Sequence, residues 1–226
     1  MKNYKILVTA ILLCFNISYS QSGWVWQNPT PGIGPVNYST FFVNENTGWV
    51  SSGNSISIST NGGDSWTKQF ESSVYAIYSL NFLNTQTGYA CGPYGRFFST
   101  TNGGTDWQTK IVGDTTNFFS CVYFRDTQTG FLGDYRNRNF YRTTNAGVNW
   151  IRSSIALTGV GIPVYMNFFN ENEGMIVTSS TFFGSSGGNS TSYKTTNGGI
   201  NWAALSNPPG SNSYFLRNGF FLNMQI

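Results

Sequence analysis

Apolar residues in this chain fall in short bursts separated by runs of Asn, Thr, Ser and Gly, and the alternation itself repeats. Four copies of one pattern join an apolar segment, a polar turn and a second apolar segment. They run from Phe41 to Trp49, Asn81 to Tyr89, Tyr123 to Phe131 and Phe168 to Met175, each closing on Gly and a large apolar residue. Gly at that point predicts a positive-φ position that closes a hairpin loop, with the apolar residue opening the next strand. Downstream of each copy stands an octapeptide ending in Trp, and the four Trp residues are 41, 43 and 52 positions apart. That spacing is the length of a four-stranded unit with its turns. The extra residues of the last interval have a home in a polar, Gly-rich stretch from Gly184 to Thr191. Each unit reads as strand, turn, strand, short loop, strand, octapeptide turn, strand, with no room for helices. Such a unit cannot bury both faces alone, so the faces must stack on neighbouring units. The expected fold is all-β: a β-propeller of four-stranded antiparallel blades over residues 36–71, 76–112, 117–154 and 162–206.

The octapeptides are Ser59 to Trp66, Thr100 to Trp107, Thr143 to Trp150 and Thr195 to Trp202. Position one is a hydroxyl residue (Ser59, Thr100, Thr143, Thr195) and position three is Asn (Asn61, Asn102, Asn145, Asn197). Position five is Gly (Gly63, Gly104, Gly147, Gly199) and position eight is Trp (Trp66, Trp107, Trp150, Trp202). A hydroxyl and a short amide can bond main-chain groups inside a tight turn. Gly permits a backbone conformation costly for other residues. The Trp ring can fold back beneath the turn and bury apolar area. These roles are structural and need no ligand.

The octapeptides resemble the Asp-box, or BNR repeat, of sialidase-type propellers, sortilin-like receptors and the Ycf48-like photosystem II assembly factor family. The resemblance is closest to exported bacterial Ycf48-like proteins, in which a strand–Thr-Gly-aromatic motif also precedes the box. The opening Trp24 to Pro31 also looks like that group's mature start, so the likeness covers roughly residues 24–205. One departure is uniform: position three is Asn where the box has Asp. Asn still accepts main-chain hydrogen bonds, so the turn survives, but a role there as a charged cation ligand is weakened.

Composition agrees with short strands and many turns. Aromatic residues make up 17% and charged residues 9% of the chain, with 26 Gly. The formal charge of +3 includes Lys2 and Lys5 at the start of a segment that reads as a signal peptide, residues 1–20. Ile6 to Phe15 is apolar but too short to span a bilayer, and cleavage is expected before Gln21. Cys14 belongs to that apolar stretch and does not follow a small residue as a lipid-anchor cysteine would. No later segment is long and apolar enough to cross a membrane. The expected location is secreted or cell-surface. The mature chain then carries 10 basic and 9 acidic residues. That balance, with no basic run longer than Arg136 to Arg138, argues against a nucleic-acid partner. Cys91 and Cys121 remain, either as buried small side chains or as a disulfide.

Two further features bear on completeness. Trp24 to Asn28 reads as a lone strand ahead of the first unit, of the kind that can complete a last blade. Ser213 to Leu216 and Gly219 to Leu222 read as the start of a fifth unit, residues 211–226, cut short at Ile226. A truncated reading frame is the expectation, with a small ring of four or five blades as the alternative.

For function, the expectation is an exported, non-enzymatic binding or scaffold module for an unidentified protein or glycan, without cofactor or metal. Loop aromatics such as Tyr94, Tyr135 and Phe183 are candidates for stacking on sugars or protein side chains, with core or ordinary surface residues as the alternative. A sialidase-like glycoside hydrolase is one alternative function. It would need an arginine cluster and paired carboxylates. Arg96, Arg125, Arg136, Arg138, Arg142, Arg152 and Arg217 are present, but no first-strand sialidase motif is. Glu45 and Glu173 fall in the repeated hairpin turn as solvated loop charges, and together with Glu71 they imply no carboxylate pair held at a set separation. A photosystem assembly role is the other alternative, implied by the Ycf48 resemblance. There a basic patch meets the photosystem protein, and here Arg136, Arg138 and Arg142 form only a short cluster. The absence of His excludes a Ser–His–Asp triad and any histidine metal site.

Overall fold

The computed structural model describes residues 36–73, 75–153, 162–179 and 191–205. The signal-peptide reading of residues 1–20, the Trp24 to Asn28 strand, Phe183 and the partial fifth unit lie outside the described residues. Sixteen strands form four four-stranded antiparallel sheets, each a simple meander in chain order. The first holds β1 (Asn37–Phe42), β2 (Gly48–Ser52), β3 (Ser55–Ser59) and β4 (Thr67–Glu71). The second holds β5 (Ser79–Phe82), β6 (Gly88–Cys91), β7 (Arg96–Thr100) and β8 (Gln108–Ile111). The third holds β9 (Phe119–Phe124), β10 (Gly130–Asp134), β11 (Phe140–Thr143) and β12 (Ile151–Ser153). The fourth holds β13 (Ile162–Phe168), β14 (Gly174–Ser179), β15 (Ser192–Thr195) and β16 (Ala203–Ala204).

These are the blades of an all-β propeller. The first strands of consecutive blades pack on one another, β1 on β5, β5 on β9 and β9 on β13. Among the described residues no comparable packing joins β13 to β1. The second strands β2, β6 and β10 are buried along their whole length, whereas β8 is exposed at every position. A second strand therefore has no polar face to present, and its sequence does not alternate.

The apolar core lies between blades. Trp49 and Ile56 of the first blade cluster with Leu80, Phe82, Ala90 and Phe98 of the second. Tyr89, Cys91 and Phe97 of the second cluster with Phe119, Val122, Phe124 and Leu132 of the third. Phe131 and Phe140 of the third cluster with Met166, Phe168, Ile176 and Tyr193 of the fourth. One aromatic contact recurs at each interface. Trp49 stacks on Phe82 with ring centroids 3.6 Å apart, Tyr89 on Phe124 at 3.5 Å, and Phe131 on Phe168 at 4.8 Å. Such pairs contribute about 0.5–1.5 kcal/mol beyond their buried area. Polar stitches accompany them: the main-chain N–H of Leu80 donates to Ser39 Oγ (3.1 Å), that of Val122 to Ser79 Oγ (3.2 Å) and that of Phe124 to Asn81 Oδ1 (2.8 Å).

The repeated Gly corrects the expectation drawn from it. Gly48, Gly88, Gly130 and Gly174 are strand residues paired with Phe42, Phe82, Phe124 and Phe168, and none is among the positive-φ residues. What the position requires is room. The Phe ring of the first strand lies across the glycine, and a Cβ there would sit 2.5, 2.2, 2.5 and 2.8 Å from it in the four blades. The octapeptide Trp then closes on the same Phe edge-on, at 5.9, 5.9, 6.0 and 5.7 Å. The Trp rings are only half-buried, so they flank the core instead of filling it.

Candidate functional site

Antiparallel meanders place the connections of every blade at two ends. The hairpin turn after each first strand and the octapeptide turn share one end. The loops between second and third strands, and the connections from blade to blade, share the other.

The octapeptide end is closed on itself. In the first blade Ser59 Oγ–H donates to Asn61 Oδ1 (2.9 Å) and Ser59 Oγ accepts the N–H of Gly63 (2.8 Å), while Asn61 Oδ1 also accepts the N–H of Ser65 (3.0 Å). The same three bonds recur from Thr100 and Asn102, Thr143 and Asn145, and Thr195 and Asn197. Trp150 and Trp202 donate their indole N–H to Gly147 O (3.0 Å) and Gly199 O (3.2 Å). Among the described residues the indole N–H of Trp66 and of Trp107 has no hydrogen-bond partner. In the second blade Trp49 of the blade before bonds the Gly103 carbonyl (3.1 Å). The position-three amides are thus used within the turn, and among the described residues no group of three or more Cys, Asp or Glu side chains could hold a metal ion.

At the opposite end, four successive connections each raise one ring. Tyr75 precedes β5, Tyr94 lies between β6 and β7, Phe118 precedes β9 and Tyr135 follows β10. The rings form a continuous row: Tyr75 to Tyr94 at 5.0 Å, Tyr94 to Phe118 at 5.0 Å, and Phe118 to Tyr135 at 6.0 Å. The Arg96 guanidinium lies 4.9 Å from the Tyr75 ring centre and that of Arg136 lies 4.9 Å from Phe118. Tyr94 is 41% exposed and holds φ of +59°, next to Gly95 at +69°. A non-glycine residue in the left-handed region costs about 1–2 kcal/mol, and such strain clusters at binding sites.

Asp134 fixes the Tyr135 end of the row. It is fully buried, and its Oδ1 accepts the N–H of Phe118 (3.0 Å), Arg136 (3.0 Å) and Asn137 (3.3 Å), while Oδ2 accepts from Asn117 Nδ2 (2.6 Å). One carboxylate therefore locks two loops from different connections. The residues around Asn117 also line a polar cleft of about 390 Å³ that includes Asp114, Asn139, Tyr141 and Arg152.

Tyr94 and Tyr135, singled out in the sequence, are brought into one row. Tyr75, Phe118 and Asp134 were missed. Their signal was weak: aromatic residues in the connection just before a repeated strand, and an Asp ending a strand that is otherwise apolar or Gly. The basic cluster is split. Arg136 and Arg138 stand in the loop after β10. Arg142 lies on β11 between Phe131 and Ile151, where burial and then the nearby Arg125 charge lower its pKa. Arg125 serves the fourth blade, donating to the Glu171 carbonyl. Glu173 bonds Asn170 and Glu71 pairs with Lys68, both exposed, and Glu171 shares the turn with Glu173. Cys91 and Cys121 are buried free thiols.

A family model described as photosynthesis system II assembly factor YCF48 matches residues 70–219. The chain belongs to that family. No curated protein matches it. Among solved structures, a YCF48 bound to a D1 peptide is 20% identical with a TM-score of 0.57, covering 74% of this chain and 53% of that one. YCF48 from Cyanidioschyzon merolae is 15% identical with a TM-score of 0.54, covering 78% and 57%. A GH74 enzyme from Niastella koreensis is 17% identical with a TM-score of 0.63, covering 78% and 30%. The chain spans little more than half the length of these YCF48 structures, and the GH74 likeness is one of fold. Among the described residues no helix is long and apolar enough to cross a membrane.

Proposed function

We propose that this chain is an exported, non-enzymatic propeller module that binds an extended segment of a partner protein along its loop face. The observation that carries the reading is the row Tyr75, Tyr94, Phe118 and Tyr135 with Arg96 and Arg136 beside it. Rings held by rigid loops offer contact area at little entropic cost, and flanking guanidinium groups supply hydrogen-bond donors. A solved YCF48 holds a peptide, which supports a protein partner over a glycan. Export rests on the Lys2 to Ser20 pattern, and the non-enzymatic reading on the dispersal of the arginines and glutamates described above. Photosystem assembly is a narrower form of the same reading, and no feature of this surface selects it.

The test is a peptide-array and glycan-array screen with the purified chain, followed by titration of the best ligand. Tyr94→Ala and Arg136→Ala are each expected to weaken peptide binding about tenfold, or about 1.4 kcal/mol. Val148→Ser, at the octapeptide end, should leave it unchanged. Equal loss from Val148→Ser would move the site to the other end, and glycan binding in place of peptide would replace the partner class.

A further inference from the structure

The polar cleft beside the ring row has a frame whose hydrogen bonds are spent and a floor whose hydrogen bonds are not. Asp114 and Asn117 stand in the link into the third blade, Asn137 and Asn139 in the loop between β10 and β11, and Tyr141 and Arg152 face each other across β11 and β12. Asn117 is buried. Its Nδ2 donates to Asp134 Oδ2 (2.6 Å) and Tyr141 OH (3.0 Å), and its Oδ1 accepts the N–H of Asp114 (2.9 Å). Asn137 Nδ2 donates to the Thr116 carbonyl and Oγ1, both at 3.4 Å. Thr116 gives its N–H (2.7 Å) and its hydroxyl (2.5 Å) to Asp114 Oδ1. Those bonds lower the Asp114 pKa, the hydroxyl first, so the carboxylate stays charged.

Asn139 is different. It is 8% exposed and lines the cleft, yet its side-chain amide has no hydrogen-bond partner among the described residues. Its main chain is fixed, because its carbonyl accepts the N–H of Asp134 (2.8 Å). Tyr141 OH accepts from Asn117 and gives its own proton to none of the described residues. The Arg152 guanidinium lines the same cleft and pairs with neither Asp114 nor any other described carboxylate.

A buried carboxamide with an open donor and an open acceptor has one natural complement. A second primary carboxamide presents an acceptor and a donor along one edge and completes both bonds at once. A carboxylate would set oxygen against Asn139 Oδ1 beside the Asp114 and Asp134 charges. An ammonium group would leave Asn139 Nδ2 unmet and face Arg152. An apolar group would displace water from all these atoms and return no hydrogen bond. The cleft also adjoins the ring row. Asn117 precedes Phe118, Asn137 follows Arg136, and Asp134 holds both Asn117 Nδ2 and the Phe118 N–H.

We infer that this cleft is the specificity pocket for the primary carboxamide of an asparagine or glutamine side chain in the partner segment, seated on Asn139 with Tyr141 OH and Arg152 as further donors. The inference rests on the peptide-binding reading above, but the pocket can be probed apart from the row.

The test is a nuclear magnetic resonance titration of the full chain with single residues capped by acetyl and N-methylamide groups, which carry no primary amide of their own. Capped glutamine should shift the Asn139 side-chain resonances and bind about tenfold more tightly than capped glutamate, lysine or leucine, or about 1.4 kcal/mol. Asn139→Asp offers acceptors only and should turn the preference from glutamine to lysine, a reversal that mere damage to the loop would not produce. Tyr94→Ala should leave capped-glutamine binding unchanged, so loss of the peptide-binding reading and loss of this pocket give different results. Equal affinity for the four probes, a preference for glutamate or lysine in the unaltered chain, or no shift at Asn139 would overturn the inference. So would N-acetylglucosamine binding in place of glutamine, which would make the cleft a sugar site.

Discussion

Asn at position three of each octapeptide does the work of the turn through one oxygen. Its Oδ1 accepts a hydroxyl proton from position one and the main-chain N–H of position seven in all four blades. Acceptance needs a lone pair and no charge, which is why Asn can stand where related boxes have Asp. Position four is less uniform. Gly62, Gly103 and Gly198 hold φ near +70°, and Ala146 holds +57° at the same point. Ala146→Gly is expected to stabilise the chain by about 0.5–1 kcal/mol, the relief of left-handed strain less the entropy that Gly adds to the unfolded chain. A urea midpoint that falls on this substitution would count against it. The two thiols make a separate prediction. Burial pushes Cys121 up to about 12, and burial followed by the neighbouring Cys121 raises Cys91 well above its usual value. The folded chain therefore keeps protons that the unfolded chain releases from about pH 8.5 upward. The stability these thiols contribute is full below that pH and declines as pH rises through the window to about 12, by up to about 1.4 kcal/mol per pH unit for Cys121. Denaturant midpoints at pH 7, 9 and 10 measure it, and a thiol reagent at pH 8 should label neither residue until the chain unfolds.

The two sequence motifs of each repeat are one element in three dimensions. The N–H of octapeptide position four donates to a carbonyl of the hairpin turn in every blade: Gly62 to Asn46 (2.9 Å), Gly103 to Gln86 (2.8 Å), Ala146 to Gln128 (2.9 Å) and Gly198 to Asn172 (2.8 Å). The turn itself is capped by Asn44, Asn84, Asp126 or Asn170, whose Oδ1 accepts two main-chain N–H groups. Their recurrence was plain in the sequence, but the bond between them was not, because it joins residues 16 to 26 positions apart whose closeness depends on strand pairing. The strand glycine shows the same gap. Gly was legible as a repeated position and misread as a turn residue, since a flat ring lying across it leaves no local trace. Gly88→Ala is the direct check. Its Cβ would meet the Phe82 ring at 2.2 Å, and that ring is pinned between Trp49 and Trp107. Overpacking there should cost about 1–3 kcal/mol, read as a lowered midpoint with secondary structure retained. A neutral Gly88→Ala would show that the ring can move aside.

Across the whole molecule, stability resides in the interfaces between blades. Each sheet is thin, and the buried aromatic clusters all join one blade to the next. A stack of this kind behaves as nearest-neighbour units, so damage at one interface should uncouple the units on its two sides. Tyr89→Ala removes the ring that stacks on Phe124 at 3.5 Å and should cost about 3–5 kcal/mol. Calorimetry is expected to show the unfolding transition broadening or dividing into two. A transition lowered in temperature with its width unchanged would mean that the blades unfold as one unit whatever the interface. The loop-face row belongs to this scale as well, since two of its rings stand on loops within the second and third blades and two on the links that lead into those blades, so that the row forms only when the blades are stacked.

The sequence by itself determined the repeat, the strand order within each blade, the octapeptide turn and the stacking of units, because each follows from local spacing, turn chemistry and the apolar surface a single unit cannot cover. The tertiary structure alone decided that the repeated Gly yields space to a ring, that Arg142 parts from Arg136 and Arg138, and that Tyr94 and Tyr135 join through Phe118 over a buried Asp134. Those outcomes depend on which side chains from distant segments share one space, and a linear pattern carries no record of that.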